Sequence, residues 1–226
     1  MVAKINSASE RTLLKIILAA ERLFGDQGID AVSLRQINIE AGQKNSSATH
    51  YHFGNKKTLI NAIYDYRMEN VNRRRLRVLE GADLDGNLQS LVEAMVYPIV
   101  DEIDGSEGGQ HYVRFLAQMI GSPSVDLQAL WSSTHGSALN TILKKIEALM
   151  SDLPADILGQ RFGLAVAQII HALADRERLR NNPAIDFQKY GALFAANLVD
   201  CLTGALSAPI SDTTYKELRH VKRSVS

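Results

Sequence analysis

The chain has little cysteine, few aromatics, few prolines and no net charge. Its 226 residues include one Cys, five Pro and 6% aromatics, and 25 Lys+Arg balance 25 Asp+Glu. The lone cysteine, Cys201, excludes an intrachain disulfide and a Cys-rich zinc module. It is compatible with a reducing compartment. Zero net charge argues against a chain coated in basic charge to hold nucleic acid. Long apolar runs are also missing. The longest near-apolar stretch, 163–174, contains Gln168 and His171 and is too short to cross a bilayer. Residues 1–10 lack the apolar segment of a secretory signal. The expectation is a cytoplasmic protein with no membrane partner. No Walker loop, His-Glu-x-x-His or Gly-x-Ser-x-Gly occurs, so no enzyme is expected and no cofactor is implied. His50, His52, His111, His135 and His171 show no ligand spacing, so the metal expectation is none.

What is present is helical periodicity. An apolar fraction of 46% and a charged fraction of 22% suit a globular chain able to bury a core. Leu13, Ile17, Ala20 and Phe24 form one stripe of an amphipathic helix that stops near Gly25–Gly28. Ser33 and Gln36 form a capping-box pattern opening a short helix with Leu34, Ile37 and Ala41 inward, and Gly42 ends it. A polar segment, 43–47, leads into Ala48 to Phe53. Gly54-Asn55 then breaks the chain before a long helix, 56 to about 79. Beyond a Gly/Asp joint at 81–86, Gly and Pro breaks separate five helices, near 87–104, 109–120, 125–151, 154–179 and 185–206. No period-2 run appears, so no sheet is expected. The polar tail 207–226 is expected to fray.

The neutral total is a cancellation. Residues 1–80 hold 13 Lys+Arg against 8 Asp+Glu, a net of +5, so residues 81–226 carry −5. The basic part has the layout of a helix-turn-helix, whose second short helix must offer polar groups to base edges while its other face stays apolar. Lys44, Asn45, Ser46, Ser47, Thr49 and His50 supply the polar groups, and Ala48 and Phe53 the inward face. Lys56 and Lys57 open the next helix, where free N–H groups already favour an anion. Arg73, Arg74, Arg75 and Arg77 form the densest basic cluster. They are either a second DNA surface or the solvated end of the long helix.

From Arg11 to about Tyr66 the chain resembles the DNA-binding domain of the TetR family of transcriptional regulators. The resemblance rests on Ala19-Ala20-Glu21-Arg22-Leu23-Phe24, Gly28, Ser33-Leu34-Arg35-Gln36-Ile37, Ala41-Gly42, His52-Phe53-Gly54-Asn55-Lys56 and Leu59. It covers about a quarter of the chain. The spacing from Ala41 to Phe53 is one residue longer than is usual in the family. The family's phosphate-binding Tyr is replaced by His50, with Tyr51 adjacent as the other candidate. The resemblance implies an all-α protein. A three-helix DNA-binding domain (1–55) is joined by a connecting helix (56–80) to a helical effector-binding and dimerisation domain (81–206), with a polar tail (207–226). It implies a sequence-specific regulator, a repressor released from a palindromic double-stranded operator by a small-molecule effector. The rival readings are a helical-bundle enzyme and a non-DNA interaction module. Expected DNA contacts are Ser33, Arg35, Lys44, Asn45, Ser46, Ser47, Thr49, His50, Tyr51 and Lys56.

In the C-terminal half, Tyr97, His111, Arg114, Phe115, Met119, Trp131 and His135 have the make-up of a small-molecule pocket. The alternative is ordinary core, with Arg114 paired to an acid. The helix near 185–206 is apolar around most of its girth, so it should be buried on more than one side. With its companion at 154–179 it suggests a homodimer interface. The expected contacts are Phe162, Val166, Ile169, Ile170, Leu173, Phe194, Asn197, Leu198 and Cys201.

Overall fold

A computed structural model describes residues 8–45, 47–81, 87–125 and 137–224 of the chain. Among them every regular element is helical. The first helix, α1 (Ala8–Gln27), buries Ile16, Ala20 and Phe24 completely, as its 3.6-residue stripe dictates. α2 (Leu34–Glu40) opens with the capping box. The Gln36 N–H donates to Ser33 Oγ at 3.2 Å, and the Ser33 N–H donates to Gln36 Oε1 at 2.8 Å. α3 (Ala48–Phe53) is short, and α4 (Lys56–Gly81) follows it. Asn55 Oδ1 caps α4 by accepting from the Thr58 N–H at 2.9 Å.

Six further α-helices follow among the described residues: α5 (Leu88–Gly105), α6 (Gly109–Gly121), α7 (Ser137–Leu149), α8 (Ala155–Arg176), α9 (Phe187–Ser207) and α10 (Asp212–Ser224). The tail expectation is corrected here. Residues 212–224 form a helix because Ser211 Oγ accepts from the Thr214 N–H at 3.2 Å and so nucleates the first turn. By length and composition alone, the helical run Ala155–Leu179 is apolar enough to cross a bilayer, contrary to the shorter stretch read from sequence. In the fold its Leu158, Ile169 and Leu173 are core residues, and it packs on α6 and α9.

Beside a hydrogen bond from the Ser124 hydroxyl to Asp30 at 3.2 Å, two main contacts join the N-terminal helices to the rest. The first is α1 against α6, where Phe24 stacks on Phe115 with ring centroids 6.2 Å apart. The helices approach so closely at Gly25 that a Cβ there would lie 2.9 Å from the His111 carbonyl oxygen. The second is the buried guanidinium of Arg67 on α4. Its Nε and Nη2 donate to the two oxygens of Glu21 on α1, at 2.8 and 2.7 Å. Nη1 donates to Glu102 on α5 at 3.1 Å and to Ser106 Oγ at 2.9 Å, and Nη2 also reaches the Glu107 carbonyl at 2.8 Å. Arg74 adds a second cation to Glu102, at 2.9 Å. Burial by itself lowers the Arg67 guanidinium, but the Glu21 and Glu102 carboxylates hold it above its ordinary value. Burial pushes the Glu21 carboxyl up, against the pull of Arg67.

These contacts rank the arginines of α4. Arg67→Ala leaves the buried Glu21 carboxylate without its cation and Glu102 with Arg74 alone, and is expected to cost about 3–5 kcal/mol in a urea titration. Arg73→Ala removes only exposed contacts, the pair with Glu69 and a hydrogen bond to Asn70, and is expected to cost under about 1 kcal/mol.

Candidate nucleic-acid interface and regulatory cavity

The helix-turn-helix is built from α2, a turn and α3. Gly42 takes φ +63, which favours glycine, and redirects the chain out of α2. Asn45 then makes a local turn, its Oδ1 accepting from the Ser47 N–H at 2.9 Å and its carbonyl from the Ala48 N–H at 3.1 Å. Ala48 and Phe53 face inward, as their pattern required. Arg35, Lys44, Asn45, Ser47, His50 and Tyr51 are all exposed, and Ser33 is exposed while serving as the α2 cap. Tyr51 is 82% exposed, and its ring meets the His52 imidazole edge-on at 5.1 Å. Ser46 lies outside the described residues.

Two of the expected DNA contacts are corrected. Thr49 is fully buried. Its hydroxyl donates to Asn38 Oδ1 at 2.7 Å and its N–H to the same oxygen at 2.9 Å, so it ties α3 to α2 and presents nothing outward. Lys56 is half-buried, and its Nζ donates to the Ile29 carbonyl at 2.9 Å, anchoring α4 to the loop after α1. Lys57 beside it is exposed. Asn38 was missed from sequence. It falls next to Ile37 and one turn after Leu34, on the buried stripe of α2, where a polar group needs a partner.

The expected effector residues do not converge. Arg114 pairs with Asp26 of α1 at 3.0 Å, and His111 Nδ1 lies 3.7 Å from the same carboxylate, so both belong to the α1–α6 contact. Burial lowers the His111 imidazole below its ordinary range. Phe115 is core, between Phe24 and Tyr112. Tyr97 is partly exposed on α5, within electrostatic range of Glu93 and of Asp200 on α9. Trp131 and His135 lie outside the described residues. Met119 alone of the set lines the interior cavity, between α4, α5, α6, α7 and α8. That cavity measures about 30 Å³, room for a water or two, and is bounded by Tyr64, Met68, Arg75, Met95, Leu139 and Ile169 among others. No group of three or more metal-ligating side chains occurs among the described residues.

The basic cluster of α4 also divides. Arg73 and Arg77 are exposed, Arg74 reaches inward to Glu102, and Arg75 is fully buried. Both sequence readings of the cluster, DNA surface and solvated helix end, therefore fail for Arg75.

The expected dimer contacts divide in the same way. Phe162, Val166, Ile169, Ile170, Leu173 and Leu198 are buried within the subunit itself, so they are corrected to core. Phe194 is half-buried against that core, while Asn197 and Cys201 are exposed. Leu164 on α8 and Leu193 on α9, both missed from sequence, are 71% and 70% exposed.

A model described as "Bacterial regulatory proteins, tetR family" matches residues 16–63, and one described as "Tetracyclin repressor-like, C-terminal domain" matches 93–205. The chain is 24% identical over 181 residues to the HTH-type transcriptional regulator AcrR of Shigella flexneri, covering 77% of this chain and 82% of the relative. Among solved structures, AibR in complex with isovaleryl coenzyme A and operator DNA aligns with a TM-score of 0.54 and 16% identity. That match covers 88% of this chain and all of AibR. Native NalD, the secondary repressor of the MexAB-OprM multidrug efflux pump in Pseudomonas aeruginosa, aligns at 0.52 and 20% identity, covering 89% of this chain and all of NalD. The two models together span both halves of the molecule, and the chain belongs to the TetR family: it is a DNA-binding transcriptional regulator and not an enzyme.

Proposed function

We propose that this regulator acts as a homodimeric, cytoplasmic repressor whose paired α3 helices read a palindromic operator, and that a small effector in the interior cavity releases it. The observation that carries this reading is the double duty of α4. At one end it packs against α3, and further along it supplies Tyr64, Met68 and Arg75 to the cavity. A ligand that favours an enlarged cavity displaces α4, and with it the spacing of the recognition helices. Release requires that the ligand bind the displaced state more tightly than the operator-competent one. AibR, solved with both an acyl coenzyme A and its operator, is in keeping with this arrangement.

The division of labour is residues 1–55 for DNA, α4 as connector, 81–206 for effector and dimerisation, and 207–226 as a tail that carries the appended helix α10. On α3 and its turn, Lys44, Asn45, Ser47, His50 and Tyr51 are the contacts, with Ser33, Arg35 and Lys57 facing the phosphates. The dimer face is the outer surface of α8 and α9, where Leu164, Leu193, Asn197 and Cys201 stand exposed. A two-fold axis there sets two recognition helices about 34–36 Å apart, one helical turn of DNA.

Three outcomes test this. In a gel shift with the protein's own upstream DNA, Lys44→Ala weakens all sequences alike and lowers the salt slope by about 1, whereas Asn45→Ala relaxes base preference by about 1–3 kcal/mol. Equal binding to unrelated DNA at every salt concentration overturns the reading. Thr49→Ala strips a buried hydrogen bond and lowers unfolding free energy by about 1–3 kcal/mol, while Tyr51→Ala leaves stability unchanged and weakens only operator binding. Leu164→Glu combined with Leu193→Glu yields a monomer in sedimentation velocity; a persistent dimer places the interface elsewhere.

A further inference from the structure

Arg75 is the most unusual side chain in the molecule. It is fully buried, lines the cavity, and has no carboxylate within pairing distance among the described residues. Among the described residues its hydrogen bonds all go to neutral acceptors. Nε donates to the Ala94 carbonyl at 3.1 Å, Nη1 to Asn72 Oδ1 at 2.9 Å, and Nη2 to the Met95 carbonyl at 3.4 Å. The first bond has a clear origin. Pro98 stands inside α5 and has no N–H to offer the Ala94 carbonyl one turn back, so Arg75 takes its place. That structural duty uses one N–H of five. The described residues take one further N–H on each terminal nitrogen, which leaves one on each for a further acceptor.

Desolvation pushes the guanidinium down to about 10, so it remains a cation at neutral pH. An uncompensated buried charge is costly, and an anion brought to it recovers that cost. Nearby, the Tyr112 hydroxyl is completely buried and has no hydrogen-bond partner among the described residues. The phenols of Tyr64 and Tyr112 both lie within electrostatic range of Arg75. The remaining wall is apolar, and three of its members, Met68, Met95 and Met119, are flexible thioethers that can re-pack around a guest. A single cation in an apolar shell matches a monoanion with an apolar tail. It does not match a strongly hydrated dianion such as phosphate.

We propose that the cavity binds an aliphatic monocarboxylate, its carboxylate forked by Arg75 and its tail displacing the methionines. This rests on the reading of the cavity as the effector site, and it adds the chemical class. Full-length protein is titrated with straight-chain carboxylates from butyrate to decanoate, and with their methyl esters, by calorimetry and thermal shift. The acids raise the melting temperature and the esters do not. Arg75→Met loses roughly 10- to 100-fold in carboxylate affinity while its ester binding is unchanged or improved, which a purely structural role for Arg75 does not produce. Arg75→Lys, which keeps the charge and loses the fork, falls between. Acids and esters binding wild type equally, or no acid binding at all, overturns the assignment even where Arg75→Met fails to fold. Esters binding where acids do not overturns the anion class and leaves the cavity as an effector site. Carboxylate binding that survives Met119→Trp, which fills the cavity, overturns both.

Discussion

The five N–H groups of Arg67 are all used, and the molecule is organised around where they go. They reach α1 through Glu21, α5 through Glu102, and the corner before α6 through Ser106 and the Glu107 carbonyl. One guanidinium thus fixes the helix-turn-helix end, the connecting helix and the C-terminal helical core in a single geometry. Burying such a group is unfavourable unless its whole fork is matched. Because it is matched here, any tilt of α4 must either carry Glu21 and Glu102 along or break charge-assisted bonds in a dry interior.

Arg75 lies two turns further along the same helix and shows the opposite arrangement. It meets no acid among the described residues, and its neighbours are carbonyls, an amide and phenols. The two arginines give α4 a fixed point and a polarisable one. On the proposed reading, a change in charge near Arg75 would act on a helix whose rotation is restrained at Arg67, converting a local event into a directed displacement. Where packing has two discrete arrangements, small shifts at a ligand site become large ones elsewhere.

Local chemistry was legible in the sequence and long-range pairing was not. Ser33 and Gln36, Asn55, and the inward Ala48 and Phe53 act within a turn or two of themselves, so their spacing carries the information. Thr49 carried no such sign. Its partner Asn38 is eleven positions away and only the fold brings them together. Arg73 to Arg77 look alike as a run, yet helical geometry turns Arg75 inward and Arg73 and Arg77 outward. For the last long helices, apolarity on several sides identified a doubly packed pair, but it could not say which side was the subunit's own. Phe162, Ile169 and Leu173 fill the core, and Leu164 and Leu193 were left to the surface. The helix at 212–224 had a sign that went unread, Ser211 three residues before Thr214 ahead of Tyr215, Leu218 and Val221 at three-residue spacing.

The close approach at Gly25 bears on how such a regulator can diverge. A helix-turn-helix at the front of a chain invites treatment as an interchangeable cassette, cut at the glycine-rich joint after α4. Here the seam runs elsewhere. Phe24 stacks on Phe115, and Asp26 meets Arg114. No side chain fits between α1 and the His111 carbonyl. A reading head grafted from a cousin would arrive with its own α1 and lack the surface that α6 was shaped to meet. New operator preferences are therefore more readily acquired by substitution on the exposed face of α3 than by exchange of the whole head.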